Sequence, residues 1–138
     1  MGGLRRKARP LNRTLLMASN LLMLKVNHRL FVYGTLAPGR CNHHVVQHLQ
    51  GTWEEGEVNG TLYQQGVGPT SGYPALDLDA LGPPVKGYLL TSVDLPAYWP
   101  AIDEFEGVGY RRVRTPVRKK DGSTVDAYLY ALDKGFLS

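Results

Sequence analysis

The sequence predicts an α+β domain: a small mixed β-sheet, strongly curved or barrel-like, with two short helices. Strand-like segments clearly outnumber helical ones, and they follow one another instead of alternating with helices as β-α-β units would. At 138 residues, 43% hydrophobic and 20% charged, the chain fits one soluble globular domain that can bury a real core, without internal repeats.

The one cysteine, Cys41, has no disulfide partner and forms no CxxC metal or redox motif, so a cytoplasmic setting is expected. The formal charge of +4 is unevenly spread. Residues 1–30 hold seven of the 16 Lys and Arg and no acid, leaving nine basic against twelve acidic groups, about −3, in the other 108. A nucleic-acid partner would therefore rest wholly on the basic arm, and none is expected. Arg5 to Arg13 followed by Leu15 to Leu24 imitates a signal peptide, but Ser19 and Asn20 interrupt the apolar run and no small-residue cleavage site follows. The run is also too short to span a bilayer, so no membrane partner is expected. An acid-free leader is compatible with organelle import as well. We read residues 1–28 as a basic N-terminal extension, either disordered or the result of a mis-assigned start preceding Met17 or Met23, and residues 29–138 as the domain.

Leu30 to Tyr33 has the composition of a buried strand. Gly34 stops it, and Pro38-Gly39 closes the connection to a helical pattern. Such a strand-loop-helix connection leaves backbone N–H groups unpaired at one spot, a general anion-binding arrangement. Asn42 to Gln50 then reads as a short helix with Asn42 as cap and Gly51 at its end. His44 and His48 have metal-ligand spacing, but no acid and no third ligand lie nearby, so a polar face is the better reading. From Thr52 to Gln65 the pattern is that of strands; Asn59-Gly60 signals either a hairpin or, as we favour, one strand bent at the glycine. Gly66 to Gly72 is a loop whose glycines fit neither phosphate-binding spacing. Val85 to Thr91, after Pro83-Pro84, is another strand.

The informative helix runs from Asp94 as cap to Gly107 as terminator, with Pro96 in the tolerant first turn and Pro100 expected to bend it or move its start. With Leu95 at zero and about 100° per residue, Trp99 falls near about 40°, Ile102 near about 340°, Tyr98 near about 300° and Phe105 near about 280°. Glu106, near about 20°, lies inside this apolar stripe, whereas Glu104 faces solvent at about 180° and Asp103 sits on the boundary at about 80°. A carboxylate on the buried face of a last helical turn is disfavoured by burial and by the helix dipole, and both raise its pKa toward the range useful for proton transfer. The alternative is a buried Glu106 paired with Arg111, Arg112 or Arg114, or a frayed end that swings it outward. Tyr110 to Val117 and Val125 to Leu132 complete the sheet around a turn at Lys119–Gly122. Apolar residues on both faces of the last strand mark it as central.

These segments together resemble the γ-glutamylcyclotransferase-like superfamily, in its small AIG2-like branch. The resemblance is carried by Phe31-Val32-Tyr33-Gly34-Thr35-Leu36, Gly39-Arg40, Asn42-His43, Val58-Asn59-Gly60 with Leu62-Tyr63, Tyr73-Pro74-Ala75-Leu76, Val85-Lys86-Gly87, and Ile102-Asp103-Glu104-Phe105-Glu106-Gly107 with Tyr110 and Arg112. It runs in order from about Leu30 to about Tyr130. It implies a γ-glutamylcyclotransferase-like fold and an enzyme that cyclises a small γ-glutamyl amine or amino acid to 5-oxoproline, needing no metal or organic cofactor. It implies Glu106 as general acid/base, and Tyr33, Gly34, Thr35 and Leu36 as the substrate-binding loop. Tyr110 is assigned to substrate binding, with a core position as its alternative. Thr35 lacks a histidine partner for a nucleophilic role, and Cys41 is a bystander. The competing expectation is a non-catalytic module that keeps the pocket for a small carboxylate. Neither leaving group nor oligomeric state follows from the sequence.

Overall fold

The computed structural model describes residues 24–136, apart from residues 35, 41 and 67. Most of the 1–28 extension, both alternative start methionines, Thr35 and Cys41 thus lie outside the described residues. The described end of the extension holds a 3-10 turn, Val26–His28, where the Asn27 carbonyl accepts the Trp99 Nε1–H at 2.9 Å.

Six strands and one α-helix follow: β1 (Arg29–Val32), β2 (Thr52–Tyr63), β3 (Ala75–Leu78), β4 (Pro84–Thr91), α1 (Leu95–Glu106), β5 (Tyr110–Lys119) and β6 (Thr124–Leu132). The sheet order is β3-β2-β4-β1-β6-β5, and a further β2–β5 pairing closes five strands into a barrel with β3 appended to β2. β1 runs antiparallel to β4 and parallel to β6, so the sheet is mixed. Among the described residues no helix is long and apolar enough to cross a membrane.

β2 is one continuous strand that changes partner at the Asn59-Gly60 step: Thr52 to Asn59 pair with β4, and Gly60 to Tyr63 pair with β3. A Cβ on Gly60 would lie 2.6 Å from the Asp77 carbonyl oxygen, so the glycine admits β3 at close range. The hairpin that this dipeptide also allows does not form. The segment after Asn42 is a 3-10 turn, His43–Val45, continued by further turns, instead of an α-helix. Adjacent β-branched Val45 and Val46 weaken a helix this short. Burial of Val46 and Leu49 holds the segment down, as does a 2.8 Å hydrogen bond between His43 Nδ1 and the Leu36 carbonyl.

α1 has the expected bounds. Asp94 makes no side-chain cap on its own helix; its Oδ2 accepts the Gln50 N–H at 2.8 Å, tying the helix start to the preceding turn. Pro100 is accommodated without ending the helix, and Gly107, at φ 70°, closes it with its N–H on the Asp103 carbonyl.

Two apolar layers share the sheet. Phe31, Val58, Val85, Leu89, Val117 and Leu129 pack together inside the barrel. On the outer face Leu30, Val32, Leu90 and Tyr130 pack against Leu95, Trp99 and Ile102 of α1. Each fully buried large aliphatic side chain contributes about 1.5–3 kcal/mol. β6 feeds both layers, as its two apolar faces require. By contrast, the β2–β5 closure has two paired positions, Gly56 with Lys119 and Glu57 with Arg118. It is edged by ion pairs from Arg118 to Glu57, Lys119 to Glu54 and Lys120 to Glu55. Such exposed pairs are worth about 0–1 kcal/mol each.

The interior is narrow because Gly56 and Gly87 face each other across β2 and β4. A Cβ on Gly87 would lie 2.3 Å from the Val32 carbonyl oxygen and 2.6 Å from the Phe31 ring. At Gly56 the nearest atom is a Val117 methyl at 3.0 Å, which can move. Gly87→Ala is expected to cost about 3 kcal/mol or more in urea unfolding, and Gly56→Ala about 1 kcal/mol. Equal losses would show that contact with the β1 backbone does not set the barrel's width.

Candidate active site

Three chain ends meet beside the helix. β1 delivers Tyr33, Gly34 and Leu36; α1 ends on Glu106; and β5 begins at Tyr110. These five residues line one cavity of about 350 Å³. Thr35, expected in the same group, lies outside the described residues. The cavity also takes Asn42, Tyr73, Pro74, Phe105 and Tyr130, with Phe31 and Val32 at its base. None of the latter was expected as a site residue. Asn42, Tyr73 and Pro74 belong to segments already noted in the sequence; Tyr130 gave no signal beyond its place in a central strand.

Glu106 is half-buried, and burial pushes its carboxyl up to about 7. Among the described residues it makes no ion pair: Arg112 goes to Asp103 and Arg114 to Asp126. It is the one formally charged side chain among the cavity's lining residues. A carboxyl that titrates near neutrality exchanges protons readily in both directions.

The surrounding tyrosines remain protonated. Burial first, then the proximity of Glu106, pushes Tyr110 up to about 12. Burial is likewise the main cause of the upward shifts at Tyr33 and Tyr130. Their hydroxyl protons are already committed. Tyr33 donates to the Tyr130 carbonyl and accepts the Leu76 N–H at 3.2 Å. Tyr110 donates to the Pro74 carbonyl at 2.7 Å, and Tyr130 donates to Asp103 Oδ1 at 2.6 Å. A hydroxyl has one proton and two lone pairs, so what Tyr33 and Tyr110 have left to offer is acceptor capacity. Together with Glu106 they suit a donor-rich, cationic group such as an ammonium. The Gly34 and Leu36 N–H groups donate to no other described residue, and they are the donors on the opposite side of this chemistry.

Of the histidines in the turn after β1, His44 is exposed, and the other two pack against the fold. His43 holds the Leu36 carbonyl, and the His48 ring packs edge-on against Tyr98 at 5.2 Å. Among the described residues no group of three or more His, Cys, Asp or Glu is arranged to hold a metal ion.

The sequence profile of the family described as gamma-glutamyl cyclotransferase, AIG2-like, matches residues 30–136. Among solved structures, the chain resembles YkqA from Bacillus subtilis at TM-score 0.60 and 22% identity, covering 77% of this chain but 36% of that one. An uncharacterized protein from Pyrococcus horikoshii matches at TM-score 0.54 and 27% identity, over 75% of this chain and 76% of that one. An AIG2-like protein from Mus musculus matches at TM-score 0.56 and 24% identity, over 80% and 82%. The domain thus spans about a third of the Bacillus chain and most of the other two. No curated protein sequence matches the chain significantly. With the barrel, the helix and the match across nearly every described residue in agreement, this chain belongs to the gamma-glutamyl cyclotransferase, AIG2-like family.

Proposed function

We propose that the protein cyclises the γ-glutamyl group of a small γ-glutamyl amine or amino acid to 5-oxoproline and releases the amine, with Glu106 as general acid/base. The observation that supports this reading is the pairing, in one cavity, of a carboxyl titrating near neutrality with the backbone that follows β1. The substrate's α-ammonium sits among the acceptors Glu106, Tyr110 and Tyr33. Its α-carboxylate or its γ-carbonyl oxygen takes N–H donors from Gly34, Thr35 and Leu36.

The reaction then balances within the substrate and one side chain. Ionised Glu106 accepts a proton from the α-ammonium, and the freed nitrogen attacks the γ-carbonyl carbon. The carbonyl oxygen gains negative charge, and the tetrahedral centre collapses as the bond from the γ-carbon to the leaving nitrogen breaks. Glu106, now a carboxylic acid, returns its proton to that nitrogen; the second proton, shed by the attacking nitrogen as it becomes the lactam N–H, passes by way of the same carboxylate to the released amine, which departs as an ammonium. Nucleophile and electrophile belong to one molecule, so the cavity's task is to fold the substrate into a five-membered ring, a proximity effect.

Incubation with γ-glutamylamines, γ-glutamyl amino acids and glutathione should release 5-oxoproline from at least one of them. Glu106→Gln should lower kcat by about 10²–10⁴ with little change in KM. If no substrate is turned over, or if Glu106→Gln is fully active, the non-catalytic binding module becomes the better reading.

Protonation also gives a test independent of turnover. Folding raises the Glu106 pKa from 4.5 to about 7. Between those values the folded state holds a proton that the unfolded chain has released, so stability is lost as pH rises through this window. The loss is complete above pH 7 and amounts to at most about 3 kcal/mol. Urea unfolding should therefore find Glu106→Gln more stable than wild type at pH 8 and equal to it near pH 4.5. A pH-independent difference would mean that the carboxyl is not desolvated.

A further inference from the structure

Three arginines follow Glu106 within eight residues, and none forms an ion pair with it among the described residues. Arg112 is restrained on three sides. Its Nε and Nη2 donate to the two oxygens of Asp103 at 2.9 and 3.2 Å. Its guanidinium carbon lies 4.5 Å from the Trp99 ring centre and 4.9 Å from that of Tyr128. Those two rings meet edge-to-face at 5.5 Å, so the cation sits in an aromatic corner with a fixed bidentate partner.

This corner adjoins the cavity. Asp103 precedes Glu106 by three helical residues, which places their Cβ atoms about 5–6 Å apart on neighbouring turns. Arg112 is paired with Tyr130 across β5 and β6, and the Tyr130 hydroxyl joins Asp103 to the cavity wall. A guanidinium held on Asp103 is therefore about one helical turn from Glu106 along α1. An arginine in contact with a carboxylate lowers its pKa by about 1–3, enough to leave Glu106 mostly ionised at neutral pH.

We infer that Asp103 is a positioning residue that acts through Arg112: it holds the guanidinium in a neutral pair against Trp99 and Tyr128 and so withholds a counter-ion from Glu106. A neutral pair projects only a dipole, whose field fades faster with distance than that of a free cation. The other titratable groups that line the cavity with Glu106 are tyrosines: Tyr33 from the end of β1, Tyr110 from β5, Tyr130 from β6 and Tyr73 from the loop before β3. On α1 itself, Glu104 is exposed on the far side. Arg112, held on Asp103 at the cavity wall, is the cation whose release would change the site's charge, and Asp103 is what keeps it in place.

The inference rests on Glu106 as the proton carrier of the proposed reaction, but its test reads ionisation directly. The Glu106 side-chain carboxyl is followed by carbon-13 NMR against pH, with Glu106→Gln to assign its signal, in wild type, Asp103→Asn, Arg112→Met, the Arg112→Met/Asp103→Asn double variant and Asp103→Glu. Asp103→Asn should lower the titration midpoint by about one unit or more. In the Arg112→Met background the same change should have a clearly smaller effect, that of removing the Asp103 charge alone, because the cation it would release is gone. Asp103→Glu, which keeps the clamp's charge, should retain the wild-type midpoint, and it carries the test if the Asn variant does not fold. An unchanged midpoint in Asp103→Asn overturns the inference, and so does an equal drop in both backgrounds, which would make Asp103 a direct neighbour of Glu106. A midpoint lowered by Asp103→Glu would overturn it as well.

Discussion

The Phe31 ring lies over two glycines, Gly56 and Gly87, that face each other on neighbouring strands. At Gly87 no side chain other than hydrogen fits, because both the Val32 carbonyl and the Phe31 ring come closer than a Cβ allows, so the barrel's width is set by β1 against bare main chain. β1 is thereby fixed between β4 and β6 with both faces covered. Its last side chains inherit that precision. Tyr33 leaves the strand in one orientation and links β6, through the Tyr130 carbonyl, to β3, through the Leu76 N–H. The cavity wall is in this sense an extension of the barrel's interior packing.

The electrostatics of the cavity run against stability. A carboxyl on the buried side of a helix would ordinarily be matched by one of the arginines that follow it, and in this protein Arg112 and Arg114 are engaged elsewhere. The tyrosine hydroxyls could donate to it, yet their protons are held by backbone carbonyls and by Asp103. Two arginines and three tyrosines that could relieve Glu106 have thus been given other partners. A local disagreement of this kind between sequence and stability is the usual mark of a functional site.

Much of this was legible in the sequence because it depended on local periodicity. Leu95, Trp99 and Ile102 occupy the buried stripe, and Glu104 is exposed opposite to it. Glu106 shares the stripe's direction but lies at its end, where the core gives way to the cavity. Tyr98 and Phe105, placed on the stripe's margin by the same periodicity, are substantially exposed at 37% and 43%, because the sheet does not extend beneath that side. Long-range pairings were not legible. That Arg112 stands opposite Tyr130, and that β2 trades β4 for β3 at Gly60, are matters of register between segments far apart in the chain. The segment after Asn42 is a short 3-10 turn instead of an α-helix for a related reason: its form is set by the His43 contact with the preceding loop and by burial of Val46 and Leu49.

The closure between β2 and β5 has a mechanical consequence. β5 pairs with β6 at nine positions but with β2 at only two, both at its far end. Thermal opening of the barrel therefore starts there, where water needs to displace few backbone hydrogen bonds and the ion pairs along the edge offer little resistance. Tyr110 lies at the other end of the same strand, about 30 Å away along an extended chain of that length. The domain can unlatch at one rim while its cavity keeps its shape, with β6 acting as the spine that insulates one from the other.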